Sequence, residues 1–241
     1  MNVKKDKRVL LIADSLAMPS TFSNIPYEST WWYNIQKAHP NNQFIDKSGR
    51  ASTSERLVND GKGFEFSVPK GWDILENYCP DLVIIQLGIV DCSPRYVNDD
   101  HIIIRILNNY LPKFCSNIFY KTLKRYSERK PKYARVPLKR FKRNFVDFIE
   151  RAKSAKTVVF IICIGEGSKS VLEVSPLFNQ SVVKYNQVLK ELDSKHGNVH
   201  LICPYGNCDM DKITADGYHL NKIGHDLVAK FVKETYEELF G

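Results

Sequence analysis

The chain has 241 residues, 43% of them hydrophobic and 26% charged, and a formal net charge of +8. That is an ordinary globular composition with room for one large α/β core or two small ones, and it excludes repeat and low-complexity classes. No apolar run approaches the roughly 20 residues of a membrane-spanning helix, and the six cysteines include no CxxC pair, which argues against a structural zinc or a disulfide framework.

In chain order, the basic start Lys4-Lys5-Asp6-Lys7-Arg8 leads into Val9-Leu10-Leu11-Ile12-Ala13, and Asp14 ends that run after five residues. A signal core needs about 7–15, so the run reads as a buried strand and the protein as cytoplasmic. Strand-like runs follow at Gln43–Asp46, Leu82–Leu87, Thr157–Ile164 and Val199–Cys203. Several are continuous and β-branched, as strands buried on both faces should be. Cys163 and Cys203 lie in two of these runs and read as small hydrophobes. Ser52–Asp60 and Trp72–Tyr78 are short helical candidates. Over Leu138–Lys153, Phe141, Phe145, Phe148, Ile149 and Ala152 share one helical face. Asn179–His196 carries Val182, Val183, Asn186, Leu189 and Leu192, with a stop at Gly197-Asn198. The last helix, Asn221–Phe240, puts Ile223, Leu227, Val228, Phe231 and Val232 on one stripe.

Strands alternating with helices predict a single α/β domain over 1–241. Its form is a doubly wound, flavodoxin-like three-layer sandwich with a mostly parallel five-stranded sheet. Such sheets build their sites beyond the carboxyl ends of the strands. Ser15, Gly49 and Gly88 each follow one of the first three strands, so they share one sheet edge. The stretch at about 93–136 interrupts the rhythm. It holds a predicted helix at Asp99–Leu111, interleaved aromatics, and prolines at 112 and 131, and reads as a basic helical insertion flanking that edge. Between Lys113 and Arg143 twelve basic residues face only Glu128, leaving +11 there and −3 in the rest of the chain. A solvated face is the usual fate of such a run. The functional reading is attraction of an anionic partner: an acidic polysaccharide, a nucleotide-linked or phosphorylated substrate, or an anionic membrane face. Nucleic acid is disfavoured because no recognised binding module accompanies the charge.

The site chemistry comes from Ser15, Asp216 and His219. A serine hydroxyl is a weak nucleophile that needs a base, and the base needs a group to fix its tautomer. His219 can be the base, and Asp216, three residues earlier in a turn, can accept from the other ring nitrogen. Backbone N–H groups at Ser15 and Gly49 can face a developing oxyanion. Taken singly, each has a bland reading: Ser15 a turn residue, Gly49 a turn, Asp216-Gly217 a turn before a helix capped by Asn221. Their order along the chain favours the joint reading.

That order resembles the SGNH hydrolase superfamily, the GDSL esterases and lipases. Ala13-Asp14-Ser15-Leu16 matches the family's Gly-Asp-Ser-Leu block with Ala for Gly. Gly49 matches the second-block glycine, Gly88-Ile89-Val90-Asp91 the Gly-x-Asn-Asp block, and Asp216-Gly217-Tyr218-His219 the Asp-x-x-His block. The resemblance implies Ser15, Asp216 and His219 as the catalytic residues, an oxyanion hole at Ser15 and Gly49, and no metal or organic cofactor. It also brings Asp14, Gly88 and Asp91 near the substrate. One departure matters: Val90 stands where the family has an Asn that donates to the oxyanion, and valine cannot donate. Arg50 and Arg95 are the candidates to replace it or to bind an acidic substrate. The implied activity is removal of a small acyl group from a carbohydrate or similar polar ester. Two alternatives share the fold: a glycan O-acyltransferase using the same serine, and a non-catalytic binding protein.

Overall fold

Every second residue of a strand faces the same side of a sheet, and here both sides are apolar. The computed structural model describes residues 6–20, 23–58, 71–95, 133–206 and 208–241. Its strands are β1 (Arg8–Ala13), β2 (Gln43–Asp46), β3 (Leu82–Gln86), β4 (Pro94–Arg95), β5 (Tyr133–Ala134), β6 (Val158–Ile162) and β7 (Val199–Ile202). Five of them form one sheet in the order β2-β1-β3-β6-β7, and every neighbouring pair is parallel. The expected sheet is therefore wholly parallel. Expected and observed strand limits differ by no more than two residues.

The helices are α1 (Trp31–Ala38), α2 (Gly71–Tyr78), α3 (Leu138–Ser154), α4 (Lys169–Val174), α5 (Phe178–Lys195), α6 (Met210–Ile213) and α7 (Lys222–Phe240). One sheet face carries Leu10, Ile12, Val83, Ile85, Val159 and Ile161 against α2, α3 and α5. The other carries Val9, Leu11, Leu82, Ile84, Phe160 and Ile162 against α1 and α7. Both cores are dry enough to bury Trp31, Trp32, Phe141, Phe145 and Phe148 completely, each such side chain worth about 1.5–3 kcal/mol on leaving water. The face expected for α3 is the buried one.

Three expectations are corrected. Over its described residues 52–58 the expected Ser52–Asp60 segment is not a regular helix; Thr53 caps a short 3-10 turn at Ser54–Leu57, and Val58 already leaves it in an extended conformation. On α5, Val183 is 59% exposed, while Tyr185 and Val188 fill the core positions. On α7, Ile223 is 62% exposed and the buried stripe instead runs through Gly224, His225, Val228, Val232 and Tyr236. Both errors follow from counting apolar residues as inward-facing regardless of helix phase. Residues 96–132, which hold most of the expected insertion and its predicted helix Asp99–Leu111, lie outside the described residues. Its two ends meet: β4 pairs antiparallel with β5, and Val136 donates its N–H to the Asp91 carbonyl at 3.1 Å.

The sheet also explains where a site can form. The chain leaves β1 toward β2 on one side and returns to β3 on the other, so β1 and β3 flank a topological switch point. Ser15 and Gly88 stand two residues beyond those strands.

Candidate active site

Asp14 is the first residue beyond β1 and shapes the turn there. Its carboxylate accepts the Leu16 N–H at 2.9 Å, capping a 3-10 turn at Ser15–Ala17. The turn holds Ser15 at the sheet edge, half-buried, with its N–H at the first turn position, where amides lack a partner inside the turn. The opposing groups come from a small hairpin between α6 and α7. An antiparallel bridge pairs Thr214 with Leu220, and Ala215 donates to the His219 carbonyl at 2.8 Å. Gly217, at φ +91°, turns the hairpin tip, and a Cβ there would lie 2.4 Å from Ser168 Oγ, so glycine answers both the dihedral and the space. Tyr218 stacks edge-on against Phe178, with ring centroids 5.3 Å apart.

The three side chains meet. Ser15 Oγ is 3.0 Å from His219 Nε2, and His219 Nδ1 is 2.7 Å from Asp216 Oδ2. The second Asp216 oxygen accepts the backbone N–H of His219 at 2.8 Å and of Tyr218 at 3.1 Å. Burial by itself would raise the Asp216 pKa. The N–H and ring of His219 and the N–H of Tyr218 outweigh it and hold the carboxyl below its ordinary value. An ionised carboxylate can only accept, so the ring proton sits on Nδ1 and the Nε2 lone pair faces the serine hydroxyl. The side chains of His219 and Asp216 remain 37% and 51% exposed, which leaves the relay open to a substrate.

The remaining expected residues fall differently. Gly49 donates its N–H to the Ala13 carbonyl at 2.9 Å, extending the β1–β2 ladder, so this amide is engaged by the sheet and not turned toward Ser15. Asp14 and Asp91 are 0% exposed and cannot touch a substrate. Asp91 accepts the Ser54 N–H on both oxygens, at 2.9 and 3.1 Å, and so ties the β3 loop to the 3-10 turn. Gly88 is buried at φ +126°, and a Cβ there would lie 2.6 Å from Ile164 Cδ1; it serves close packing. Val90 is half-buried against the hydrophobic cluster and brings no donor. Arg50 is exposed on the loop after β2. Arg95 lies in β4, and its side chain falls outside the described residues.

Residues that the sequence reading passed over complete the floor of the site. Arg56 is only 6% exposed. Its Nη1 donates to Ser52 Oγ at 2.9 Å and lies 3.4 Å from the Ala13 carbonyl, directly under Gly49, where a Cβ would come within 2.9 Å of it. Asn144 on α3 donates to Ser54 Oγ at 3.0 Å. Gln86, the one polar residue of β3, accepts from Trp31 Nε1 at 2.9 Å and donates to Tyr205 at 3.2 Å. A polar residue ending an apolar strand was the available signal for Gln86; nothing in the local pattern marks Arg56. Among the described residues no cluster of His, Cys, Asp and Glu could hold a metal ion.

This five-stranded parallel sheet with helices on both faces is the fold of solved GDSL-type proteins. Three solved structures make the likeness concrete. A GDSL-like lipase from Bacteroides thetaiotaomicron superposes with a TM-score of 0.59 at 15% identity, over 98% of this chain and 91% of that one. A catalytic mutant of Axe2, an acetylxylan esterase from Geobacillus stearothermophilus, gives 0.59 at 14% identity, over 97% and 95%. The esterase EstA from Pseudoalteromonas, solved inhibited by monoethylphosphonate, gives 0.52 at 17% identity, over 97% and 98%. The sequence matches no family model and none of the curated proteins.

Proposed function

We propose that the chain is a serine esterase of the SGNH type that removes a small acyl group from a carbohydrate or similar polar ester. The observation that carries this reading is the relay from Ser15 through His219 to Asp216, at 3.0 and 2.7 Å. The Ser15 oxygen attacks the ester carbonyl while its proton passes to His219 Nε2. The imidazolium, held by Asp216, returns that proton to the leaving alcohol. Water then repeats the sequence on the acyl-enzyme and restores the serine. The Ser15 N–H is the donor nearest to the developing oxyanion. Gly49 can contribute only if its N–H leaves the Ala13 carbonyl, and Arg56 Nη1, 3.4 Å from the same oxygen, is positioned to take its place there. With Val90 in the third block, one donor fewer lowers turnover by about 10²–10³. The polar-ester part of the proposal draws on the basic segment and on the acetylxylan esterase that shares the fold.

A fluorophosphonate probe tests the reading. Labelling of the wild type that disappears in Ser15→Ala is the expected result; folded wild-type protein that takes no label points to a binding role. Asp216→Asn should keep the fold and lower ester turnover by about 10⁴, and near-normal activity would remove Asp216 from the relay.

A further inference from the structure

Beyond the relay, a second reactive arrangement sits where β6 and β7 end. The last register pair of their ladder is Ile162 with Ile202, and Cys163 continues it by donating its N–H to the Ile202 carbonyl at 2.9 Å. One further step sets Cys163 opposite Cys203, on the same face of the sheet. Directly opposed residues on neighbouring strands lie about 4.8 Å apart, inside the roughly 4.4–6.8 Å span that a disulfide bridges between α-carbons. Both thiols are free; Cys163 is buried and Cys203 exposed. They line a groove of about 270 Å³, shared with Lys190, Asn186, Cys208 and Glu166. Asn186 braces the groove by bonding both the N–H and the carbonyl of Ile164, each at 2.8 Å.

We propose that this groove is a peroxide-reactive thiol site, with Cys203 as the attacking thiolate and Cys163 as the resolving thiol. The surroundings divide the labour. The Cys163 S–H donates to the Cys203 sulfur, and the Lys190 charge adds to that, while partial burial and Asp193 oppose; the balance brings Cys203 down to about 7. Cys163 is pushed up by that same hydrogen bond and then by burial, so its proton stays in place until Cys203 has reacted. In the first step the Cys203 sulfur attacks one oxygen of hydrogen peroxide. An S–O bond forms, the O–O bond breaks, and hydroxide leaves, giving a sulfenic acid. In the second, the Cys163 sulfur attacks the Cys203 sulfur as its proton goes to the departing hydroxide. An S–S bond forms, the S–O bond breaks, and water is released. An external dithiol reverses the bridge. The site does not depend on the esterase reading, since no residue of the relay takes part.

The test uses the reduced wild-type chain first. At pH 7 Cys203 should alkylate with iodoacetamide about threefold faster than exposed Cys79, its larger thiolate fraction being partly offset by lower nucleophilicity. Dilute hydrogen peroxide should then yield, in a non-reducing digest, a peptide pair linked between Cys163 and Cys203. In Cys163→Ser the bridge should be lost and dimedone should trap a sulfenic acid on Cys203. If Cys203 alkylates no faster than Cys79, the proposal is overturned without recourse to any variant. A bridge to Cys208 instead, or no dimedone adduct in folded Cys163→Ser protein, overturns it equally.

Discussion

Asp14 and Asp91 are two carboxyls fully out of water on the floor beneath Ser15. Burial pushes both to about 7. For Asp14 the Leu16 N–H opposes the rise and the Asp91 charge adds to it; for Asp91 the Ser54 hydroxyl and N–H oppose and Glu55 adds. One Asp14 oxygen has no hydrogen-bond partner among the described residues, as suits a group that carries a proton. The linkage has a definite sign. Between the ordinary carboxyl value near 3.8 and about 7 the folded chain keeps protons that the unfolded chain has released. Stability is therefore full below that window and lost as pH rises through it, by up to about 1.4 kcal/mol per pH unit for each group. His225 works in the opposite sense: burial lowers it to about 4, so its contribution is lost as pH falls from about 6.5 toward that value. Asp14→Asn isolates one carboxyl, because the amide oxygen can still accept the Leu16 N–H. Urea unfolding at pH 5 and pH 8 should show the wild type losing more stability over that interval than the variant. Equal losses would mean that Asp14 is ionised throughout.

At the scale of elements, α3 does more than cover the sheet. Its apolar face was legible from the spacing of Phe141, Phe145, Phe148, Ile149 and Ala152. The buried Asn144 on that same face was not, because periodicity records only apolar residues. Asn144 reaches Ser54 Oγ, and the Ser54 N–H donates to Asp91, so a helix, a 3-10 turn and the β3 loop are joined by one polar thread. Asn144→Ala should cost about 1–3 kcal/mol by leaving buried partners unmet, measurable as a lower urea midpoint at unchanged slope. Helix α7 meets the Asp216–His219 hairpin even more closely. A Cβ on Gly224 would lie 2.3 Å from the Ile213 carbonyl oxygen, a backbone atom that cannot swing away. Gly224→Ala should destabilise the fold by about 1–3 kcal/mol and displace His219, so that Ser15 labelling by a fluorophosphonate falls in protein that is still folded. Unchanged labelling would show that hairpin and helix move independently.

Across the whole molecule, the strand plan was readable because a sheet buried on both faces leaves an almost uninterrupted apolar record in its central strands β1, β3 and β6. Helix α1 was not among the expected elements; it has only eight residues, with Trp31, Trp32 and Ile35 inward. The three side chains that meet, Ser15, His219 and Asp216, were readable as a family order. The floor was not, because Arg56, Asn144 and Gln86 work through contacts between distant elements, which no local window contains. The antiparallel pairing of β4 with β5 has a further use. Since Pro94 pairs with Ala134 and Arg95 with Tyr133, residues 96–132 can be replaced by an Asn-Gly turn that suits a two-residue hairpin. Such a protein should still unfold cooperatively. If the basic segment recruits an anionic substrate, the salt dependence of KM should also shrink; a salt response equal to that of the full chain would assign recruitment elsewhere. Finally, the hydroxyl and the imidazole are 204 residues apart in sequence. At a synthesis rate of about 5–20 residues per second, a ribosome makes Ser15 about 10–40 s before His219. On the proposed chemistry, a nascent chain attacks an ester only after the Asp216–His219 hairpin has emerged and docked against Ser15, so the activity waits on the last-made part of the site.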